Sequence, residues 1–339
     1  MDDFEGRRGL PGSPKLGQVV AEDGTSWVEF RSTLTPNFAR VWADIALCHV
    51  MIFGGYAGVL AADWYMGGAR PLIVALPLSL FIGFWMHALC TFGHEAVHYN
   101  IASDRARNDL LAEYLIWPFF AETTRHYRVH HWQHHVHLGD HQDTEISYHN
   151  CMSPWFLTRL VTGSYLVELL FRYSGQKSPT APTAKPDGAL DSDPWRGHRW
   201  AVCRTALLHG CLIGIPLLLG LWIAAAAWGI AALLAYPMFN TLRQILEHRR
   251  EDAPCDIDFT EVEHGAITYS FGNGFVSRYF GAAGFNRHLL HHWEPSVSYT
   301  NFDAMQTFLR GTPLRDRIDA SRRSYLLALL HAMRVAVSG

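Results

Sequence analysis

The chain has 339 residues, 49% of them hydrophobic, and a formal net charge of -3 at pH 7. This length allows one large domain or two small ones, and the near-neutral charge gives no indication of nucleic-acid binding. The apolar residues form a few unbroken stretches with the charged residues gathered between them, as a lipid bilayer requires. The sequence therefore indicates an integral membrane protein.

Residues 1–40 are mostly polar and show no secretory signal peptide, so we expect the first apolar stretch to act as the insertion signal. Three regions follow from this division. They are a cytoplasmic N-terminal segment at 1–40, a membrane domain at 41–310 and a C-terminal amphipathic helix at 311–339, with 320–337 as its helical part.

Four apolar stretches approach the roughly 20 residues that a spanning helix needs. They lie at 41–62, 71–90, 201–220 and 222–242. Short turns join the first two and the last two, which predicts two helical hairpins with both termini on one side. Basic residues accumulate between the hairpins and after the fourth stretch, whereas the hairpin tips carry only Arg70. Because such residues favour cytoplasmic loops, we expect the termini and the central segment to be cytoplasmic.

The central segment, 91–200, contains two further predicted helices that need not cross the membrane. The first covers 108–122, and the second, 154–173, is apolar enough to lie along the membrane surface. Residues 174–193 have no hydrophobic period and are interpreted as a flexible connection. The predicted fold class is therefore all-α integral membrane, with four spanning helices in two hairpins and a cytoplasmic helical cap.

Six cysteines are scattered along the chain without a C-x-x-C spacing that would indicate zinc or redox pairing. We interpret them as inert thiols. Four of them lie in or beside apolar stretches, where a small buried side chain is the simplest role, namely Cys48, Cys90, Cys203 and Cys211.

Twenty histidines are the unusual feature of the composition, and three clusters of them have metal-binding spacing. An H-x-x-x-H motif ends the second apolar stretch, and an H-x-x-H-H motif occurs twice downstream. Side chains at i, i+3 and i+4 share one face of a helix, so each cluster can direct its imidazoles to one point. The clusters are His94 and His98; His131, His134 and His135; and His288, His291 and His292.

The hairpin arrangement places all three clusters on the cytoplasmic side, where the fourth spanning helix also delivers His248. Nine imidazoles are too many for one ion but suit two metals with open positions, and iron is the natural choice for oxidative chemistry. The helical register leaves open whether His130 replaces His131. Nearby carboxylates are expected to orient the rings by accepting N–H hydrogen bonds, namely Glu95, Asp140, Asp143, Glu145 and Glu247.

The order and spacing of these motifs resemble the histidine boxes of the membrane fatty acid desaturase and hydroxylase superfamily, over residues 41–301. The resemblance implies that the boxes hold a di-iron centre on the cytoplasmic face, joined by an extra histidine at the position of His248. Family members often carry asparagine four residues before that histidine, whereas this chain has Gln244. The segment 293–299 also resembles the family's sequence after the third box.

The reaction that the resemblance implies uses two ferrous ions, dioxygen and two electrons to remove hydrogen from an unactivated C–H bond of a lipid-like substrate. No catalytic residue apart from the metal ligands is expected. The electrons would come from a separate protein of the cytochrome b5, ferredoxin or rubredoxin type, since the sequence has no haem or iron–sulfur motif of its own. Desaturation is the leading hypothesis, and hydroxylation or ketolation of a lipid or carotenoid is the alternative.

A second class of function also fits part of the sequence. His94, Glu95 and His98 form H-E-x-x-H, the zinc metalloprotease pattern in which the glutamate is the general base. A protease of this kind would leave both H-x-x-H-H motifs without a purpose. A histidine-rich metal carrier would instead favour ligands inside the spanning helices.

Overall fold

The computed structural model of the chain describes residues 12–168 and 194–338. The predicted flexible connection at 174–193 lies outside the described residues. Residues 169–173, the end of the predicted helix at 154–173, lie outside them too. The helices in chain order are α1 (Trp27–Thr33), α2 (Phe38–Met66), α3 (Leu72–Val97), α4 (Arg105–Leu115), α5 (Thr124–His137), α6 (Pro154–Thr162), α7 (Pro194–Leu218), α8 (Trp222–Ile230), α9 (Tyr236–His248), α10 (Phe275–Phe280), α11 (His288–Trp293), α12 (Phe302–Arg310), α13 (Arg315–Ala320) and α14 (Tyr325–Ser338).

Shorter elements connect these helices. A π-helical turn, Ala231–Ala235, joins α8 to α9 without a break. Strands β1 (Ser270–Phe271) and β2 (Arg322–Arg323) form a short parallel pair. Single 3₁₀ turns lie at Leu16–Gln18, Trp117–Phe119, Ile146–His149, Phe285–Arg287 and Tyr299–Asn301.

Four helical spans are long and apolar enough to cross a membrane, as the sequence predicted. They are Phe38–Met66, Leu72–Val97, Gly197–Leu218 and Trp222–His248. The second and fourth extend well past the predicted ends at 90 and 242, because helical hydrogen bonding continues beyond the apolar residues into the histidine-bearing sequence. This continuation carries His94 and His248 on the same rigid elements that are anchored in the apolar layer.

The second span, α3, lies at the centre of the molecule. Half of the most apolar 18-residue part of α3 is buried inside the protein. In the third span the buried share is 11%, so most of its surface is open to lipid. α3 packs against α2, α8, α9 and α5. The main core forms along these contacts and includes Ile52, Ile82, Met86 and Trp228.

Two predicted helices differ from expectation for local reasons. The helix predicted at 108–122 is α4 followed by a 3₁₀ turn, because Pro118 lacks an N–H and disfavours helical geometry in the residue before it. The helix predicted at 154–173 is interrupted after Thr162, where Gly163 adopts a left-handed conformation with φ 77°, and helix resumes at residues 164–168.

The C-terminal helix exists but begins at Tyr325, not at residue 320, since residues 322–323 pair with β1 instead. It packs on α9 through Leu329. At the other end of the chain, Trp27 packs near Phe308 of α12, with ring centroids 5.8 Å apart. Both end regions thus contact the body of the protein, while the predicted division at residues 40 and 310 stays a prediction.

The interpretation of all six cysteines as inert thiols is wrong for two of them. Cys151 and Cys255 are joined by a disulfide, with their Cα atoms 5.3 Å apart. They lie 104 positions apart in the sequence, so no local spacing could have indicated the pair. The other four cysteines are free thiols.

Candidate metal centre

The histidine clusters lie on four helices that converge at one end of the spanning helices. α3 ends at Val97, and its capping residue is His98. The turn that follows is held by Asn108, whose side chain donates to the Ala96 carbonyl at 2.7 Å and accepts from the Ile101 N–H at 3.1 Å. α5 begins at Thr123, whose hydroxyl accepts the N–H of His126 at 3.1 Å. These caps fix where each histidine face points.

All nine predicted ligands come together, in two adjacent groups. Within each group, one ring nitrogen from every histidine lies within 4.8 Å of those of the others. Each of the nine side chains is at most 4% exposed. The group of five is His94, His98, His131, His135 and His291, and the group of four is His134, His248, His288 and His292.

The ring nitrogens face one another at short distances. Nε2 of His135 lies 2.9 Å from that of His131 and 3.0 Å from that of His291. In the second group, Nε2 of His288 lies 2.9 Å from that of His248 and 3.2 Å from that of His292. A neutral imidazole has one donor and one acceptor nitrogen, so such a set cannot satisfy all its members by hydrogen bonds alone.

Several buried ring nitrogens of these histidines have no hydrogen-bond partner among the described residues. They include both nitrogens of His94 and the Nε2 atoms of His98 and His134. Unpaired polar atoms in a protein interior are costly unless they bind something. The nine imidazoles therefore fit a metal-binding role better than a structural one.

Two carboxylates orient histidines at the centre. Nδ1–H of His134 donates to Asp143 at 2.9 Å, and Nδ1–H of His131 donates to Glu145 at 3.0 Å. Each bond assigns the proton to Nδ1 and leaves Nε2 free to bind a metal. The Ile267 carbonyl does the same for His248, whose Nδ1 lies 2.9 Å away.

Electrostatics agree with these pairings. Burial alone would lower the pKa of His134, but the Asp143 and Glu145 carboxylates outweigh it and raise that pKa to about 9, so a metal that binds Nε2 would displace a proton from it. Burial would raise the pKa of Glu145, yet the positive charge of His134 and the hydrogen bond from His131 hold it well below its ordinary value. Glu145 is therefore an anion at neutral pH.

The other three carboxylates singled out by the sequence do not accept a hydrogen bond from a candidate ligand. Glu95 accepts the Tyr299 backbone N–H at 3.4 Å, and Asp140 accepts Nδ1–H of His137 at 3.0 Å. Glu247 pairs with Arg243 at 2.5 Å, and its nearest oxygen is 3.8 Å from Nε2 of His288. For these three residues the expectation is wrong.

The structure places the neighbouring histidines 130 and 131 differently. His131 is 1% exposed and belongs to the group of five. His130 is half-buried and points elsewhere, with its Nε2 3.1 Å from that of His126.

Three polar residues support the centre without having been singled out for that role by the sequence. The Tyr148 hydroxyl donates a short hydrogen bond to Asp143. The Tyr325 hydroxyl donates to Glu247 at 2.8 Å, and the Arg243 guanidinium lies 4.0 Å from the centre of the Phe285 ring. The contacts of Tyr325 and Arg243 join distant segments, and that of Tyr148 depends on a loop conformation, so no motif could indicate them. Gln244 was noted beside His248, and its amide donates to Glu145 at 2.9 Å.

A cavity of about 260 Å³ opens beside the group of five, between α3 and α9. His94 and Glu145 lie in its wall, so a molecule inside it would contact the edge of the centre. The wall mixes aromatic and polar side chains, including Trp117, Phe120, Tyr127, Tyr236, Asn240 and Gln244.

Four apolar spans and two buried groups of converging imidazoles define a helical membrane protein with side chains that could hold metal ions. The family model for fatty acid desaturase matches residues 71–318, which is most of the chain and includes all nine histidines. The chain therefore belongs to the fatty acid desaturase family, as the histidine motifs predicted. A search of curated proteins gives no significant match. Family membership implies an oxidoreductase of the desaturase or hydroxylase type, associated with the membrane, with a lipid substrate and with iron as the family's metal.

Proposed function

We propose that the chain is a dioxygen-dependent di-iron desaturase that introduces a double bond into an acyl chain or a similar lipid-like substrate. The observation that carries the proposal is the division of nine buried imidazoles into adjacent groups of five and four. The two groups touch, since the rings of His135 and His292 are 4.5 Å apart. One group per ion leaves room for the open positions that oxygen chemistry requires.

In this proposal the group of five holds one iron and the group of four holds the other. Bound iron would supply the redox chemistry that activates dioxygen and removes hydrogen from a C–H bond. The protein itself orients the ligands: Asp143 and Glu145 keep the protons of His134 and His131 on Nδ1.

The cavity beside His94 is the proposed substrate site. Trp117, Phe120 and Tyr236 give it aromatic walls that exclude water and accept an apolar chain. Thr91, Asn240 and Gln244 add polar groups that can fix the position of the substrate. Placement of one carbon beside the centre decides whether an alkene or an alcohol forms, so hydroxylation or ketolation remains the alternative on this scaffold.

Orientation and electron supply complete the proposal. We infer that the spans form two hairpins with the termini and the histidine groups on the cytoplasmic side. The even number of spans and the position of the histidines at the ends of α3 and α9 support this. A separate donor of the cytochrome b5, ferredoxin or rubredoxin type would supply electrons there.

The metalloprotease alternative does not fit the geometry. In an H-E-x-x-H protease the glutamate acts as general base at the metal. Here the Glu95 carboxylate accepts a backbone N–H from Tyr299, and His94 and His98 share their group with three more histidines.

The test is a count of iron in full-length protein purified in detergent. We expect about two irons per chain, lost together with turnover in His131→Ala and His292→Ala, which remove one ligand from each group. His130→Ala is the matched control and should keep both irons. A single bound zinc with peptide hydrolysis would overturn the proposal.

Product mass then separates the two reactions on the same scaffold. Loss of two hydrogens identifies desaturation, and gain of one oxygen identifies hydroxylation.

A further inference from the structure

We propose that Glu122, His126 and His198 form a third metal site, outside the nine-histidine centre, that binds one divalent transition metal ion such as Zn²⁺. Each residue offers one donor atom within 4.8 Å of the donors of the other two. All three side chains are partly buried, so the site lies near the surface. The proposal does not depend on which reaction the iron centre performs.

Two elements and a connecting segment supply these residues. His126 lies in the first turn of α5, Glu122 precedes that helix, and His198 lies near the start of α7. The rings of His126 and His198 are 5.5 Å apart. An ion pair at the start of a helix would explain the contact between Glu122 and His126. A shared metal ion would also explain why His198, which lies 72 positions further along the chain (198 − 126), comes close to this pair.

The donor atoms of His126 and Glu122 lie close enough to share an ion. Nδ1 of His126 lies 2.8 Å from Glu122, a distance similar to those between ring nitrogens inside the two histidine groups. A metal ion bound at Nδ1 would replace the proton that this nitrogen shares with the carboxylate, so both could bind the ion together.

The site is separate from the nine-histidine centre. His126 precedes His131 by five positions, and at about 100° per residue this turns the two side chains roughly 140° apart around α5. The side chains of the two residues therefore lie on different faces of α5. Imidazole and carboxylate donors with room for water suit Zn²⁺, which accepts four ligands at about 2.0–2.2 Å.

A bound ion would have a structural consequence for the cavity. Glu122 lines the same cavity as His94. The ion would tie the start of α7 to α5 and so hold this wall of the cavity in place.

The experiment uses full-length protein in detergent, loaded with iron and titrated with Zn²⁺ alone, with both metals counted by elemental analysis. We expect about one zinc per chain to bind without loss of iron. His126→Ala and His198→Ala should lose this zinc and keep their iron. Glu122→Gln, which keeps a hydrogen-bond acceptor but removes the charge, should weaken zinc binding by about 10- to 100-fold.

His137→Ala is the matched control. His137 lies on the same helix and makes a similar Nδ1 contact with Asp140, at 3.0 Å, but is not part of any three-donor group in the described chain. It should bind zinc like the unaltered protein. Zinc should raise Tm in the unaltered protein and in this control, and leave Tm unchanged in His126→Ala and His198→Ala.

Three outcomes would overturn the proposal: no zinc uptake, uptake only as iron leaves, or equal uptake in the His126 and His198 variants. His131→Ala separates this proposal from the previous one. It should lose iron, and its zinc-dependent rise in Tm should become smaller when His126→Ala is added, so failure of either proposal can be recognised alone.

Discussion

Single carboxylates determine which ring nitrogen of a histidine in the centre faces the site. Asp143 and Glu145 each hold a proton on Nδ1 of a histidine and so direct Nε2 toward the site. Glu145 also accepts the Gln244 amide, which ties α9 to α5 through one anion. Loss of its charge should therefore weaken metal binding without removing any ligand.

We predict that Glu145→Gln lowers iron affinity by about 10- to 100-fold, because glutamine can accept the His131 hydrogen bond but carries no charge. Iron retained after dialysis against graded chelator measures this. Asp140→Asn is the control, since its partner His137 lies outside both groups, and it should retain iron normally. Equal retention in the two variants would show that the Glu145 charge is not needed.

At the residue scale, the sequence predicted which histidines converge but not which carboxylates reach them. The H-x-x-H-H spacing brings His131, His134 and His135 to the centre, but the expectation that they meet at one point is wrong, because His134 belongs to the other group. Glu95 follows His94 directly, so it points about 100° away around α3 and meets Tyr299 instead. Contacts such as Tyr148 to Asp143 depend on a loop conformation that no spacing encodes.

Among the elements, α3 and the π turn approach each other closely. A Cβ built on Gly83 would lie 2.4 Å from Cβ of Ala235 and 2.8 Å from the Tyr236 nitrogen. Small residues permit such approaches between membrane helices, where packing replaces the hydrophobic driving force. Gly83 thus sets how near the histidine ends of α3 and α9 can lie.

Gly83→Ala should destabilise the protein by about 1–3 kcal/mol, because backbone on the far side of the contact would have to move. Gly210→Ala is the control: it lies inside α7 with nothing within 4 Å of its added Cβ, and should be neutral or stabilising by up to about 1 kcal/mol. Thermal unfolding in one detergent measures both. A Tm for Gly83→Ala at or above that of the control would contradict the packing argument.

The apolar pattern predicted the four spans but placed the ends of the first, second and fourth too early. The hydropathy of the sequence indicates where contact with lipid ends. The helix itself ends where its backbone hydrogen bonds end. In α3 the helix continues to Val97, seven residues past the predicted end. In the cap, a helix ends before Pro118 and another is interrupted at Gly163, and both residues were visible in the sequence as helix breakers.

In the whole molecule, the centre is assembled from four helices spread over residues 94–292. The sequence predicted that the clusters share one side, from the number of spans. The division into five and four could not be predicted, because it depends on how α5 and α11 are rotated against each other. His134 and His135 are neighbours on α5, yet they belong to different groups.

The proposed cytoplasmic orientation makes a prediction about Cys151 and Cys255. Disulfides are rare in the reducing cytosol, so both residues should be thiols in growing cells and should pair only after extraction in air. Alkylation of intact cells with a membrane-permeant maleimide should then label both, and a charged, impermeant maleimide neither. Peptides still linked through these residues after rapid trapping would place this face in an oxidising compartment.

The π turn limits how the fourth span can change in length. The Tyr236 N–H donates to the Ala231 carbonyl five residues back, so the turn accommodates one residue more than a regular helix would. Deleting one residue there would restore a regular helix and leave His248 facing nearly the same way, whereas deleting one residue elsewhere in the span would rotate everything after it by about 100°. Insertions within 222–248, and deletions outside the π turn, would thus be selected against even at lipid-facing positions such as Ala226, where substitutions are easily accepted.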